Sequence, residues 1–515
     1  MKKISVTILL LITFFIAHGQ TSLSFQHLGN ATFQNNLINP SLIPEGKFFL
    51  GLPVLSGIHV NVNNKLSYNQ MFRNEGGQTT VDINKILNSL QRQNMVSSRV
   101  HANILHIGYR TNVGPMLSFT VNERIEADFL YPKELFEYVI TEGNNAFLND
   151  KVKFSNIGAV ATHYREFGLG LAAPVNDQLT IGIRGKYLIG FANASTPSNF
   201  KATIESDGEA FQVSADWKNT ALRTSGFDIY SGDEGDLESH LVMNGNKGFA
   251  VDLGGTYHLN RYYTITGSIV DIGFINWKED IENHSLNDTT FTYNGVDLDN
   301  FDDIDQTLED SLFSKFETTE NSNPYRSWLP VTAHGSWIYH YSPQMDFYVT
   351  AGSRLIQRQL KMLYGGGVTY KFGRAFTASA SATKLPQQFF NIGAALTAKG
   401  GPVQMYIAAD QIINFSAPDA KAFDFRFGMS FNFGERRVKQ EASGLSRAPI
   451  QGAKGINTNV FLGKKVKTKK RDGIYSIIKR QKRRDVRNKR TQRDNTVNKK
   501  SINGRTGKKN VDDNE

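Results

Sequence analysis

Phe-Asp-Phe-Arg-Phe-Gly-Met-Ser-Phe-Asn-Phe, residues 423–433, alternates strictly between large apolar side chains and small or polar ones. A period of two indicates a β-strand with one apolar face and one polar face. Residues 179–191 and 249–259 repeat the pattern, and residues 376–383 show a weaker form of it. Segments of about ten residues with this alternation are typical of strands that cross a membrane in a closed barrel.

The alternating segments are long for a soluble protein. A β-sandwich also alternates, but its strands usually run about 5–6 residues. Tyr, Trp and Phe side chains gather near the segment ends, as in Tyr262, Tyr263 and Trp277, where a membrane barrel carries its aromatic girdles. These features favour an all-β fold, a transmembrane antiparallel β-barrel, over a secreted sandwich.

Fifteen segments qualify as candidate strands, and two of them are the adjacent pieces 154–164 and 166–176. Since bacterial single-chain barrels have even strand numbers, we expect 14 strands, with 16 as the alternative. Gly365, Gly366 and Gly367 lie within one strand, where they predict a bend or a close approach of packed material.

The start of the chain predicts export. Lys2 and Lys3 precede an apolar run from Ile4 to Ala17, and Ala17 and Gly19 are the small residues of a cleavage site before Gln20. The run is shorter than the roughly 20 apolar residues of a spanning helix. We therefore predict a signal peptide over 1–19, a barrel over 20–433 and an outer-membrane location in a Gram-negative cell.

Several segments interrupt the strand pattern. Residues 79–93 and 132–147 predict short helices, which either cap or partly fill the barrel or are ordinary loop helices. Strand-like pieces at 199–206 and 210–217 predict an extramembrane hairpin. Residues 279–326 hold 13 Asp or Glu and only two basic residues, which suits a solvated surface loop better than a Ca²⁺ site.

The last segment, residues 434–515, differs from the rest in charge. It carries 25 Lys or Arg against 8 Asp or Glu, a net charge of +17. Such runs are usually disordered. Because the chain is predicted to be exported, we expect no nucleic-acid partner. Peptidoglycan or an acidic envelope protein is the expected partner if this basic tail binds anything, and outer-membrane lipid is the expected partner of the barrel.

The sequence contains none of the common catalytic motifs that would indicate an enzyme. The sequence lacks a Gly-x-Ser-x-Gly elbow, a His-Glu-x-x-His pair and a phosphate-binding glycine loop. The chain has no Cys, and its 11 His are scattered, with His334 and His340 expected to be structural. We therefore predict a protein that is not an enzyme and that holds no cofactor or metal.

The polar strand faces should then line the lumen. A charge on the lipid-facing side costs about 2–4 kcal/mol at the midplane, whereas one in the lumen is tolerated. Their mixed signs fit either an interior salt-bridge network that closes the barrel or a solute-selecting open pore. The predicted lumen residues are Arg184, Lys186, Asp252, Asp346, Arg354, Asp410, Asp424 and Arg426.

A family resemblance adds to these expectations. Asn39 to Pro44, Lys247 to Gly254, Val270 to Trp277 and Phe425 to Gly428, taken in this order, resemble an uncharacterised family of outer-membrane barrels of the Bacteroidota. That family is distantly similar to long-chain fatty-acid transporters and to accessory barrels of type IX secretion. The resemblance implies an outer-membrane location and a barrel fold, but no catalytic residues. The sequence as a whole predicts a barrel that transports or binds a small solute, or alternatively a structural or docking component of a secretion or surface-assembly system that uses the basic tail or acidic insert.

Overall fold

The computed structural model describes residues 23–434, apart from 54, 76–77, 113, 141–150, 156, 198–200, 208–211, 219, 228–244, 287–288, 294–317, 385–389 and 413–417. The predicted signal peptide and the basic tail beyond residue 434 lie outside the described residues. So does most of the acidic insert. The predicted domain boundaries at residues 19 and 433 therefore stay predictions.

The described chain forms a closed antiparallel β-barrel of 14 strands, as the alternation predicted. The first wall strand is split into β1 (Phe48–Gly51) and β2 (Gly57–Asn63). Both halves pair with the last strand, which closes the ring. The other wall strands are β5 (Gln93–Arg110), β6 (Met116–Pro132), β8 (Gly158–Pro174), β9 (Leu179–Ser195), β13 (Lys247–His258), β14 (Tyr263–Trp277), β19 (Val331–His340), β20 (Met345–Ile356), β21 (Gln359–Phe372), β22 (Phe376–Lys384), β23 (Asn391–Gly400), β24 (Val403–Ala409) and β25 (Ala422–Phe433).

The connections differ between the two ends of the barrel. At one end the strands join through tight turns such as 175–178 and 373–375, and Lys47 and Gly434 lie at this short-turn end. At the other end most connections are long. This asymmetry between short turns at one end and long loops at the other is typical of bacterial outer-membrane barrels.

The long loops carry the remaining elements. A four-stranded sheet combines β7 (Lys151–Ser155), β10 (Lys201–Asp207), β11 (Gln212–Lys218) and β16 (Thr289–Tyr293), so the predicted hairpin of β10 and β11 is confirmed. The predicted loop helices are present as α3 (Ile83–Ser89) and α4 (Lys133–Ile140), with the remainder of 132–147 outside the described residues. The shorter pieces are α2 (Tyr68–Met71), β3 (Phe72–Glu75), β4 (Gln78–Val81), β12 (Ala221–Ser225), β15 (Ile281–Leu286), β17 (Thr318–Asn321) and β18 (Tyr325–Trp328).

The outer wall is apolar, the reverse of a soluble protein. Leu169, Phe249 and Val349 expose 61–70% of their surface, whereas Arg184 and Asp252 on the other face are almost fully buried. Such a surface is compatible with lipid, because its side chains are apolar and because the closed ring of strands satisfies the backbone polar groups. Among the described residues, no helix is long and apolar enough to cross a membrane.

One boundary of the sequence prediction was wrong. The pieces 154–164 and 166–176 form one strand, β8, so fifteen candidates become fourteen. Its outward face carries His163 and Arg165 where lipid-facing strands carry apolar residues, and both contact Glu123 at 2.7 Å. The register also shifts between His163 and Tyr164. These local departures made one strand look like two.

Candidate functional site: a plugged lumen

The inside of the barrel is filled by the start of the described chain. Residues 23–43, here called the plug, comprise helix α1 (Leu23–His27), two short 3₁₀ turns and an irregular stretch. Leu23, Phe25 and Phe33 are at most 1% exposed. Within the described part of the chain, the plug pairs with no wall strand. It therefore occupies the lumen without belonging to the wall.

The first end of the plug is held by a carboxylate. Asp410, directly after β24, accepts hydrogen bonds from the backbone amides of Leu23 and Ser24, the second at 3.1 Å, and from the Ser24 hydroxyl. These are the amides that the first turn of a helix leaves without an internal partner. Asp410 thus serves α1 as a capping group supplied by the wall.

His27 fixes the next turn of the plug. Its Nε2 lies 3.0 Å from the Thr350 hydroxyl, and its ring stacks on Tyr348 with centroids 4.4 Å apart. The Thr369 hydroxyl donates to the His27 carbonyl at 2.9 Å. Burial lowers the pKa of His27 from 6.5 to about 3, so the seated plug carries a neutral imidazole.

The second half of the plug contacts the opposite part of the wall. The Asn39 amide donates to the Thr266 hydroxyl at 2.7 Å, and the hydroxyls of Ser41 and Thr256 lie 2.8 Å apart. Arg184 donates to the Asn36 carbonyl at 2.8 Å. Most of these bonds use wall side chains, which leaves the backbone ladder of the barrel intact.

Wall glycines make room for the plug. A Cβ at Gly182 would stand 2.2 Å from the Pro40 carbonyl carbon, and one at Gly254 would stand 2.1 Å from Asn39 Oδ1. A Cβ at Gly365 would meet Leu23 at 2.7 Å, and one at Gly367 would meet His27 at 2.7 Å. The predicted close approach at Gly365–Gly367 is confirmed, and the packed material is the plug.

A layer of charges lies beside the plug. Lys186 Nζ contacts Asp271 at 2.6 Å and Asp252 at 2.9 Å, and Arg124 contacts Asp271 at 3.0 Å and Glu166 at 3.1 Å. Since β6 and β14 are not neighbours in the wall, the pair of Arg124 and Asp271 crosses the lumen. Buried charges need partners of this kind.

Asp271 reaches this layer from a bulge. Its φ of 65° lies in the left-handed region, and the register of β13 against β14 shifts between Val251 and Leu253. Two residues of β14 therefore oppose one residue of β13, which turns the Asp271 side chain inward. Its amide donates to Asp252 at 2.8 Å, so the bulge and the charge layer support each other.

The eight residues predicted for the lumen fall into three groups. Arg184, Lys186 and Asp252 join the charge layer, with Arg184 contacting Asp252 at 3.3 Å. Asp410 and Arg426 meet the plug, Arg426 with its guanidinium 5.1 Å from the Phe25 ring centroid. The others have separate partners: Asp346 pairs with His340 and Lys371, Arg354 with Glu126 and Asp128, and Asp424 with His59 and Asn61. A contact of these side chains with a solute stays a prediction.

Sequence reasoning missed two parts of this site. Arg124, Glu126 and Asp128 alternate on β6 with outward Ile125 and Phe129, so the period of two could have found them. The plug has no period to find. Its buried Asn35 and Asn36 bond to carbonyls within the plug itself, which gives no repeating signal along the sequence.

The comparison with protein families decides the identity of the chain. The model of DUF5723, a family of unknown function, matches residues 40–410. The chain belongs to this family. The resemblance inferred from the sequence is thereby confirmed at the level of an uncharacterised family. No curated protein sequence matches the chain.

Solved structures show more distant likenesses. A Pseudomonas aeruginosa FadL homologue is 9% identical with a TM-score of 0.35, and the match covers 77% of this chain and 93% of that one. The Pseudomonas putida toluene transporter TodX is 8% identical with a TM-score of 0.35, covering 78% and 92%. The translocator domain of autotransporter NalP from Neisseria meningitidis is 10% identical with a TM-score of 0.28, covering 76% and 90%. At these scores the likenesses support no argument about a solute.

Proposed function

We propose that this protein is an integral outer-membrane barrel that passes or binds a small solute and is closed at rest by its own plug. The apolar outer wall and the predicted signal peptide support the location. The observation that carries the proposal is that the plug fills the lumen while contributing no strand to the ring. Its displacement would leave the wall unbroken.

The energetics of the plug suit a removable part. It is attached through buried side chains such as Phe33 and through isolated hydrogen bonds such as those of Asn39 and His27, each of these bonds worth about 0.5–1.5 kcal/mol net. A wall strand, by contrast, shares a continuous ladder with both neighbours, as β8 does with β6 and β9. Because the plug shares no ladder with the wall, it can leave its seat without breaking the backbone pairing of any wall strand.

The proposal is tested by unseating the plug in the full-length protein. Gly182→Val with Gly254→Val places side chains where Pro40 and Asn39 stand. Gly185 and Gly255 lie on the same strands with nothing within 4 Å of their added Cβ, so Gly185→Val with Gly255→Val is the matched control. Purified protein is inserted in planar bilayers, and the conductance in KCl is recorded.

We expect the Gly182 and Gly254 variant to conduct at least tenfold more than the wild type, and the control to match the wild type. Both variants should remain heat-modifiable on gels, which shows that the ring is closed. A folded Gly182 and Gly254 variant that conducts no more than the control would refute a passage closed by the plug.

The docking role stays a prediction, because the basic tail and residues 294–317 of the acidic insert lie outside the described residues. Binding of peptidoglycan or an acidic envelope protein, the absence of a cofactor and the absence of enzyme activity likewise stay predictions. Co-purification of envelope proteins with the full chain, and their loss when 434–515 are deleted, would favour docking over transport.

A further inference from the structure

A second barrier crosses the mouth of the barrel at the long-loop end. Residues 354–363, here called the lid hairpin, form the tip of the β20–β21 pair. Gln357 and Arg358 make the two-residue turn with φ of 49° and 62°. Positive φ at both positions is the geometry of a type I′ turn, which follows the twist of the two strands. No other connection at this end is as short.

The lid hairpin touches strands that are not its neighbours. In the wall, β20 pairs with β19 and β21. Yet Arg354 contacts Glu126 of β6 at 2.6 Å and Asp128 at 3.3 Å. Ile356 is 1% exposed and packs in one cluster with Leu130 of β6. These contacts span the lumen from one wall to the other.

The turn itself reaches still further across. The Gln357 side-chain amide donates to the carbonyls of Ala159 and Thr196, both at 3.1 Å. Ala159 lies on β8, and Thr196 directly follows β9. The tip of the hairpin is therefore fastened to the far rim by an ion pair, an apolar contact and hydrogen bonds.

The base of the hairpin contacts the plug. Leu363 packs against Leu23, the first described residue of the plug, and both are buried. On its other edge β21 pairs with β22 only from Tyr364 onward, so in the described chain residues 359–363 pair with β20 alone. Leu363 therefore lies at the base of the hairpin, and this base is the part of the hairpin that contacts the plug.

We propose that the lid hairpin is a second gate, in series with the plug and held shut by it through Leu23 and Leu363. The inference rests on the proposed function, since a gate requires a passage. When the plug leaves its seat, Leu363 loses its partner, and the tip swings away from Glu126 and the β8 rim. Hinge motions in proteins turn on a few loop or element-terminal residues, and the base of the hairpin would supply them here.

A reversible lock tests the gate. The ideal Cβ of residue 158 stands 3.4 Å from Gln357 Cγ, the position that a cysteine sulfur would take. Gly158→Cys with Gln357→Cys is therefore placed to form a disulfide, and the chain has no other Cys. The pair is built into the full-length Gly182→Val and Gly254→Val background, with each single cysteine as a control. Conductance in KCl is recorded before and after dithiothreitol.

We expect the oxidised double-cysteine variant to conduct at least tenfold less than the reduced one. The conductance of the single-cysteine controls should not change when dithiothreitol is added. Equal currents from the oxidised and reduced pair, both above the wild type, would overturn the lid while the proposed function stands. Currents at the wild-type level in every state would refute the proposed function. Movement of the lid hairpin would then be tested by the distance between two spin labels.

That distance uses spin labels at Arg92→Cys and Arg358→Cys, both exposed positions, the first on the rim beside the end of β6 and the second at the tip of the lid hairpin. With the plug seated, as in the otherwise wild-type protein, the labels at positions 92 and 358 should give one short distance. The Gly182 and Gly254 variant should add a longer distance, and the Gly185 and Gly255 control should not. A single unchanged distance in all three proteins would overturn the lid.

Discussion

Phe33→Ala should release the plug without opening the barrel wall. Phe33 is fully buried, with its ring centroid 4.8 Å from that of Phe49 and 3.8 Å from that of His106. Truncation of a buried Phe costs about 3–5 kcal/mol, because the lost contacts and the residual cavity add up. Since 1.4 kcal/mol corresponds to a factor of ten, the fraction of unseated plug should rise by roughly two to three and a half decades.

Hydrogen exchange measured by mass spectrometry checks this. Amides of residues 23–43 should exchange faster by about that factor, whereas those of the wall strands should not change. Phe249→Ala is the control, because Phe249 faces outward and is 61% exposed. If the variant folds and the exchange of 23–43 matches the wild type, the plug is not held by this aromatic contact, and the magnitude worked out above is wrong.

Three further outcomes are expected. Protonation of His27 should favour the unseated plug: burial lowers the pKa of His27 to about 3, so the unseated His27 binds a proton below its ordinary pKa of 6.5 while the seated one does not. As the pH falls from above 6.5 to 5, exposure of 23–43 in the wild type should therefore rise about 30-fold relative to that in His27→Gln. Arg184→Ala removes one buried partner of Asp252 and should lower the free energy of unfolding by about 3–5 kcal/mol, as measured by thermal or denaturant unfolding. The double variant Arg184→Ala with Asp252→Asn should lose less than the sum of the losses in the two single variants. Asp82 caps α3 through the Lys85 amide at 3.0 Å, so Asp82→Ala should lower the stability of that helix by about 1 kcal/mol and Asp82→Asn by less, as read from local exchange over 83–89.

The wall was predictable because each strand repeats one physical rule. Residues that face lipid must be apolar and those that face inward need not be. The alternation from Phe423 to Phe433 therefore predicts which side chains face lipid and which face the lumen. The rule failed at β8, where outward His163 and Arg165 bond to Glu123. There the pattern reflects a local charge cluster, which a rule about lipid contact does not include.

The plug was not predictable from the same rule. It lies against a polar interior, so its buried residues are as often Asn or Ser as Phe, and no face repeats. The sequence indicated instead where the plug contacts the wall, through glycines on the wall strands. Gly365 and Gly367 mark the places where a side chain would collide with Leu23 and His27. The glycines indicated that something packs there, but no spacing says which distant segment supplies it.

The pairing of the first wall strand with the last one has a consequence for assembly. Phe48 opposes Phe433, so the ring stays open until the final strand has arrived. The plug is joined to that first strand and lies wholly inside the finished ring. The complete seat of residues 23–43 therefore exists only once the last strands are in place, because Asp410 and Arg426 contribute to it. Biogenesis, and not only transport, then depends on the seam between the two ends of the chain.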